Sequence, residues 1–203
     1  MMTHATNDAE QIAKVFATLS DEAWRQLGSR PLADLTVAEI AVHADVDAGV
    51  AVAVAGDPQQ LVLGKMAALD DVAVLESFAD IEDAGAIPIR EKILEALMHR
   101  FEVYAPHRAQ IQALNTAARG HPALAMALGL GLQSVVRRML AMAGDSCDGW
   151  RGVMRIKGVS GVMMVVTRVW MKDDSPDLAP TMKELDRRLQ QAEEWAFSLR
   201  LIQ

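Results

Sequence analysis

Two apolar segments separated by a short polar stop constrain the C-terminal part of this chain more than any other feature. Residues 150–172 form a run rich in Val and Met, and residues 178–195 alternate Leu and Met with charge at helical spacing. Between them, Ser175 suits a helix N-cap, Pro176 suits the first helical position, and Asp177 complements the positive end of the helix dipole. The pattern predicts a buried helix that ends sharply, followed by an amphipathic helix that folds back on the first helix.

Apolar residues recur at helical spacing along most of the remaining chain. Hydrophobic residues make up 51% of the sequence, and Ala, Leu, Val and Met dominate. Because Ala, Leu and Met lose little rotamer freedom in a helix, this mixture favours helices. Gly and Pro clusters divide the pattern into further predicted helices over residues 8–27, 36–44, 47–55, 61–78, 89–104, 107–119 and 123–143. The sequence therefore predicts an all-α fold.

The net charge and the single cysteine narrow the class of protein. A formal net charge of −7 makes nucleic-acid binding difficult. Cys147 alone excludes an intrachain disulfide and a Cys-based zinc site, fits a reducing compartment and is interpreted as a small packed residue. The N-terminus lacks a secretory signal pattern, and the most apolar windows, 123–136 and 158–166, are shorter than the about 20 residues that span a bilayer. We therefore expect a soluble, cytoplasmic protein.

A short capped helix follows the long N-terminal helix. The segment Leu35-Thr36-Val37-Ala38-Glu39-Ile40-Ala41 contains a capping box of Thr36 and Glu39, and a turn with Asp45 and Asp47 comes next. This order resembles the N-terminal domain of TetR-type transcriptional regulators. The resemblance implies a three-helix helix-turn-helix domain over residues 1–65 and a helical ligand-binding and dimerisation domain over residues 66–203.

The reading helix of this helix-turn-helix has the wrong chemistry for DNA. Where the TetR family has a Tyr, a Phe and a Lys, this chain has Val52, Ala55 and Pro58, and residues 46–56 contain no Lys or Arg. Residues 1–65 contain four basic and nine acidic residues, a balance of −5, whereas phosphate binding depends on Lys and Arg. We therefore interpret the motif as a packing unit that binds DNA weakly if at all. The positions that would face DNA are Thr36, Asp47, Ala48, Gly49 and Val52.

The last quarter of the chain contains a more specific string. Trp150 and Val165-Val166-Thr167 precede Asp173-Asp174-Ser175-Pro176-Asp177-Leu178, which is followed by Thr181, Leu185 and Arg187-Arg188-Leu189. This combination resembles the coenzyme Q (ubiquinone) biosynthesis accessory lipid-binding protein family. Members of that family have a TetR-like fold, bind lipids including isoprenoid species, and assist a ubiquinone-pathway hydroxylase without catalysing a reaction. The resemblance also implies a peripheral contact with membranes.

Methionine and glycine are concentrated in the two most apolar predicted helices. Gly costs about 0.5–1 kcal/mol inside a helix, so several of them indicate close backbone approach or space for a ligand. Met adapts to irregular apolar shapes, and apolar ligands often bind between bundle helices. The alternative is an ordinary core in which Gly permits tight helix crossings. The predicted pocket for a lipid, fatty acid or isoprenoid quinone is lined by Met126, Gly129, Met139, Met142, Met154, Gly158, Gly161 and Met164.

The last two helices also carry the predicted oligomer contact. In the TetR architecture these helices commonly pair with their equivalents in a two-fold dimer, so the resemblance implies a homodimer. The interface candidates are Val169, Trp170, Met182, Leu185, Leu189 and Trp195. Basic pairs four residues apart lie on these helices, and they either hold an anionic head group at the rim of the pocket or form solvated ion pairs. These pairs are Arg151 with Arg155, Arg168 with Lys172, and Lys183 with Arg187.

No residue pattern indicates catalysis, a metal site or a cofactor. Glu95 and His99 are four residues apart and lack the second Glu-x-x-His motif that a bundle di-metal site requires, so Glu91, Glu95, His99 and Glu102 are interpreted as a solvated face. No Ser/His/Asp set or Gly-rich phosphate loop is recognisable. The first hypothesis is a non-catalytic protein that binds a lipid or isoprenoid. The alternatives are a ligand-responsive TetR-type repressor and a purely structural dimer.

Overall fold

The computed structural model describes the backbone of residues 2–83 and 87–198, and the side chains of residues 8–82 and 87–194. Within these ranges the only regular structure is helical, which confirms the all-α prediction. The α-helices are α1 (Met2–Leu27), α2 (Val37–His43), α3 (Ala48–Val54), α4 (Pro58–Asp83), α5 (Ile89–Tyr104), α6 (Arg108–Ala118), α7 (Pro122–Met142), α8 (Gly149–Trp170) and α9 (Ala179–Ser198). Single 3₁₀ turns lie at Leu32–Asp34 and Ala105–His107.

The chain divides into two compact units. The first unit combines Met1–Leu69 with Pro106–Leu128, a segment that the sequence assigned to the second domain. The second unit combines Asp70–Ala105 with Gly129–Gln203. The division between residues 65 and 66 stays a prediction.

The first unit is built on the apolar stripe of α1. Leu19, Ala23 and Leu27 recur at helical spacing and are fully buried, because α1 turns one apolar face inward. Trp24 lies in the same core and packs edge-on against His107, with the ring centroids 5.7 Å apart. The remaining core of this unit consists of Leu35, Val37, Ile40, Ala41, Ala51, Ala55, Leu61, Val62, Leu69, Leu114 and Leu124.

The second unit has its core between α8, α9 and the helices that pack with them. Trp170 is almost completely buried, and its ring centroid is 5.7 Å from that of Phe101 on α5. Apolar side chains from four helices complete this core: Ile93, Leu97, Val135, Val136, Met139, Leu140, Ile156, Val159, Met163, Val166, Leu185 and Leu189. Their helical spacing within each segment is the reason why these segments fold as helices with one buried face.

A polar cluster is buried between α4 and α5 of the second unit. Arg100 Nε donates to Asp70 Oδ1 at 2.8 Å, and the Tyr104 hydroxyl donates to the same oxygen at 3.1 Å. Asp70 and Tyr104 are both buried, and the Arg100 guanidinium lies 4.6 Å from the Tyr104 ring centroid. The guanidinium and carboxylate charges therefore compensate each other away from water.

The start of α9 differs from the sequence prediction. The predicted N-cap at Ser175 with Pro176 in the first turn is wrong, because α9 begins at Ala179 and Leu178 has a left-handed φ of 50°. Ser175 instead donates its backbone N–H and its hydroxyl to Asp173 Oδ1. The turn is thus organised around the Asp173 carboxylate.

Candidate ligand-binding face of the second unit

One side of α8 presents apolar residues at the surface. Met154, Gly158, Gly161 and Met164 recur at helical spacing, and Met154 and Met164 are 47% and 58% exposed. A Cβ atom built on Gly158 or Gly161 would meet no atom within 4 Å. Half of the predicted pocket residues therefore share one open face of a single helix, which we call the α8 outer face.

Two further side chains extend this face toward the start of α8. Trp150 and Val153 are both exposed, and the Arg151 guanidinium lies 5.9 Å from the centroid of the Trp150 ring. Neither Trp150 nor Val153 was among the predicted pocket residues. Trp150 lies four residues before Met154 and Val153 lies three residues after Trp150, and this helical spacing was the signal that would have identified them.

The opposite side of α8 is buried in the core of the unit. Ile156, Val159, Met163 and Val166 are at most 7% exposed, and their positions lie roughly half a turn away from Met154 and Gly158 around the helix. Large apolar residues occur on both sides of α8, although the outer side also carries the exposed basic residues Arg151, Lys157 and Arg168. The fold decides which of the two sides is buried.

The predicted pocket residues on α7 have different positions. Met139 is buried in the core of the second unit and Met142 is half-buried. Met126 is exposed in the part of α7 that belongs to the first unit, and Gly129 has no atom within 4 Å of a built Cβ. The pocket stays a prediction, and the structure supports its α8 residues as a shared surface.

Helix α7 corrects one expectation from the sequence. It is long and apolar enough to cross a membrane by length and composition, whereas the apolar windows of the sequence predict segments shorter than a bilayer span. Only 28% of its most apolar window is buried, and Met126 and Leu130 are exposed. Core helices of soluble proteins meet the same length and composition criteria, so these criteria establish that α7 is long and apolar and nothing more.

The predicted dimer contacts are divided between core and surface. Trp170, Leu185 and Leu189 are buried within this chain, so their side chains hold α8 and α9 together. Val169 is half-buried and Met182 is exposed. Trp195 lies outside the residues whose side chains are described. Dimerisation itself stays a prediction.

Two of the basic residues predicted at the pocket rim form ion pairs within the chain. Arg187 donates to Glu184 at 2.6 Å, and Arg155 pairs with Asp145. Hydrogen bonds from Arg187 and Arg188 lower the pKa of Glu184. Arg151, Arg168, Lys172 and Lys183 are exposed. The ion-pair interpretation therefore fits Arg155 and Arg187, and the Arg155–Asp145 pair is largely shielded from solvent.

The carboxylate–histidine residues of α5 form a small polar contact with α4. His99 Nε2 lies 2.5 Å from Asp80 Oδ2, and His99 Nδ1 lies 3.5 Å from Glu102. Among the described residues, no group of three or more His, Cys, Asp or Glu side chains is arranged to hold a metal ion. Asp80, on α4, was not part of the predicted set.

The predicted DNA-facing polar residues have structural partners. Thr36 Oγ1 accepts the Glu39 backbone N–H at 3.2 Å, which confirms its N-cap role, and Asp47 Oδ1 accepts the Val50 N–H at 3.0 Å. Ala48, Gly49 and Val52, the other three candidates, are exposed on α3. Thr36 and Asp47 thus act as caps of α2 and α3.

Comparison with known proteins assigns no family. No family model matches the chain, and no curated protein gives a significant match. The fold therefore defines the class as an all-α protein with two compact units. The two family resemblances rest on the short sequence segments quoted in the sequence analysis.

Proposed function

We propose that this chain is a non-catalytic protein of TetR-like architecture that binds an apolar ligand through its second unit. The ligand class is a lipid, a fatty acid or an isoprenoid quinone, in the manner of the ubiquinone-biosynthesis accessory family that the C-terminal string resembles. The observation that carries the proposal is the α8 outer face, where exposed methionines flank glycines that have open space above them.

The chemistry of the α8 outer face suits an alkyl or isoprenoid chain. Apolar surface exposed to water gains about 25 cal/mol per Å² when it is covered, and clusters of such surface mark binding sites. Met side chains adapt to irregular apolar shapes, and Gly158 and Gly161 let a ligand approach the helix backbone. The face offers no buried polar group to orient a hydrophilic substrate, so the proposed ligand is held by apolar contact.

The proposal includes a cytoplasmic homodimer with a peripheral membrane contact. Met182, which is exposed on α9, supports a contact with a second copy. Met126 and Leu130 on α7 support a contact with a lipid surface. No cofactor and no metal take part in this function.

The first experiment is native mass spectrometry of protein purified from cells, before and after denaturing extraction. A dimer that releases a fatty acid, quinone or phospholipid on denaturation supports the proposal and identifies what the face accepts. A ligand-free protein under the same conditions contradicts it.

A substitution locates the site. Gly161→Leu should abolish ligand uptake and preserve the fold, because the new side chain meets no atom of this chain within 4 Å of its Cβ. The matched control is Gly131→Leu on α7, where the space above the glycine is equally open. Equal uptake by Gly161→Leu and wild type would place the ligand elsewhere.

The alternative function is a ligand-responsive DNA-binding repressor. The order α1, α2, turn, α3 favours it, since a helix-turn-helix joins two short helices by a tight turn. Residues 31–64 contain no Lys or Arg, which opposes it. Salt-dependent binding to the DNA upstream of the gene would favour the repressor, and its absence at low salt would exclude it.

A further inference from the structure

The C-terminal half of α4, within the second unit, presents a second apolar surface. Val72, Leu75 and Phe78 are 43%, 69% and 50% exposed. Successive members are three residues apart on one continuous α-helix, so neighbouring side chains are only about 60° apart around the helix axis. Ala79, which is exposed four residues after Leu75, extends the same side. We call these four residues the α4 outer face.

The opposite side of α4 is buried in the core of the unit. Ala73, Ser77 and Ile81 recur every four residues and are at most 7% exposed. The Ser77 hydroxyl donates to the Ala73 carbonyl oxygen at 2.6 Å and lies 3.5 Å from the carbonyl oxygen of Ala96 on α5. A helix at a protein surface usually carries polar residues on the side that faces water. Single exposed apolar residues are common, whereas a contiguous group of them marks a contact surface.

The charge around the α4 outer face is negative. Residues 66–89 contain six acidic residues and no Lys, Arg or His. Basic side chains from α5 and α7 contact three of the aspartates, in the pairs Arg100 with Asp70, Arg138 with Asp71, and His99 with Asp80. Glu76 and Glu82 are exposed and form no ion pair with a described residue. Because Glu76 lies four residues after Val72 and Glu82 lies four residues after Phe78, both carboxylates border the apolar side chains.

We propose that the α4 outer face binds an amphipathic helix of another protein whose apolar side is bordered by Lys and Arg. Leu75 and Phe78 supply the apolar contact, and the two glutamates complement the basic border. A helix has the matching shape, because side chains three and four residues apart on α4 form ridges and grooves into which the side chains of a second helix pack. The inference concerns α4 and does not depend on the ligand proposed at the α8 outer face.

The same glutamates disfavour the other occupants. Anionic lipid head groups and nucleic-acid phosphates would be repelled by them. A second copy docked through a two-fold axis would place the glutamate-bordered face against itself, which brings like charges together. A basic amphipathic helix is the occupant that satisfies both the apolar and the acidic feature.

The binding experiment uses three designed helical peptides of equal length. One has a Leu face with Lys flanks, the second has the same Leu face with Glu flanks, and the third has Lys flanks with Ser in place of Leu. Calorimetry measures the affinities, and methyl NMR of protein labelled at Leu and Val maps the contact. We expect the Leu/Lys peptide to bind at least about tenfold more tightly than either of the others and to shift the methyl signals of Val72 and Leu75.

Variants test the apolar and the acidic part of the face separately. The double change Leu75→Ser with Phe78→Ser should weaken binding of the Leu/Lys peptide by about tenfold or more. The double change Glu76→Gln with Glu82→Gln should also weaken binding and should reduce its dependence on salt. The matched control is Ile12→Ser on α1, which is 55% exposed and should bind the peptide as wild type does.

The outcomes separate the occupants. Equal affinity for the Lys-flanked and Glu-flanked peptides, or a loss in Ile12→Ser as large as that in the double serine variant, overturns the proposal. It is also overturned if duplex DNA or vesicles containing phosphatidylserine shift the methyl signals of Val72 and Leu75 more strongly than the Leu/Lys peptide does. A shift of these signals when the concentration of the protein alone is raised would assign the face to a second copy instead. The methyl map uses the wild-type protein, so it decides the question even if a variant fails to fold.

Discussion

Thr181 donates both its backbone N–H and its hydroxyl to Asp173 Oδ2, at 2.9 and 2.5 Å. Ser175 does the same to Asp173 Oδ1, so one buried carboxylate holds the turn between α8 and α9 and caps the first turn of α9. The turn positions α9 against α8, and α8 carries the proposed ligand face on its other side. The stability of this turn therefore bears on the whole second unit.

Replacing Asp173 by Asn should destabilise the protein. The amide keeps one acceptor oxygen and loses the charge, so some of the four donors lose their partner in a buried position. A lost buried hydrogen bond of this kind costs about 1–3 kcal/mol. Urea unfolding measures the loss, and Asp174→Asn, at the exposed neighbouring residue, is the control that should change stability less.

The contribution of Asp173 should depend on pH in the acid range. Burial raises the pKa of this carboxyl, but the hydrogen bonds from Ser175 and Thr181 outweigh burial and lower the pKa from 3.8 to about 2. A carboxyl whose pKa is lower in the folded state stabilises the fold above its unfolded pKa, and this contribution is lost as the pH falls through the folded pKa. The difference in unfolding free energy between wild type and Asp173→Asn should therefore be full above pH 3.8 and shrink toward pH 2. A difference that is constant over this range would contradict the assignment.

Two glycines on α8 should respond oppositely to alanine. A Cβ atom on Gly152 would overlap the carbonyl group of Cys147, so Gly152→Ala forces the backbone apart and should cost about 1–3 kcal/mol or more. Gly158 has no atom within 4 Å of a built Cβ, so Gly158→Ala should stabilise the ligand-free chain by about 0.5–1 kcal/mol through helix propensity. Thermal unfolding compares the two variants with wild type. Destabilisation by Gly158→Ala would show that something already covers the α8 outer face.

The buried cluster of Asp70, Arg100 and Tyr104 should stabilise the second unit less when one partner is removed. Asp70→Leu leaves the Arg100 charge without its carboxylate, and such a change costs about 3–5 kcal/mol. Adding Arg100→Met should recover much of this loss, because removal of both charges also removes the desolvation penalty. A double-mutant cycle in urea measures the coupling. If the double variant is less stable than Asp70→Leu, Arg100 has a stabilising role beyond this pair.

Local patterns in the sequence identified most of the secondary structure. The apolar spacing of α1 predicted the buried positions Leu19, Ala23 and Leu27, and the Thr36 and Glu39 pair located the start of α2. Both results depend on contacts within one or two helical turns, and such contacts join residues that are close in sequence. The start of α9 was misplaced because Ser-Pro-Asp favours a helix start locally, whereas the Asp173 carboxylate draws Ser175 into the turn and caps α9 at Thr181.

By itself the sequence determined that the chain folds as helices, and it determined where most of them begin and end, because helix propensity and capping are local. Only the tertiary structure decided which apolar residues are core and which are surface. Trp170 and Met164 belong to the same apolar helix, yet Trp170 packs beside Phe101 and Met164 faces outward. The physical reason is that apolar residues occur all around α8, so the choice of the buried side depends on packing with other helices, among them α5, which lies far from α8 in sequence.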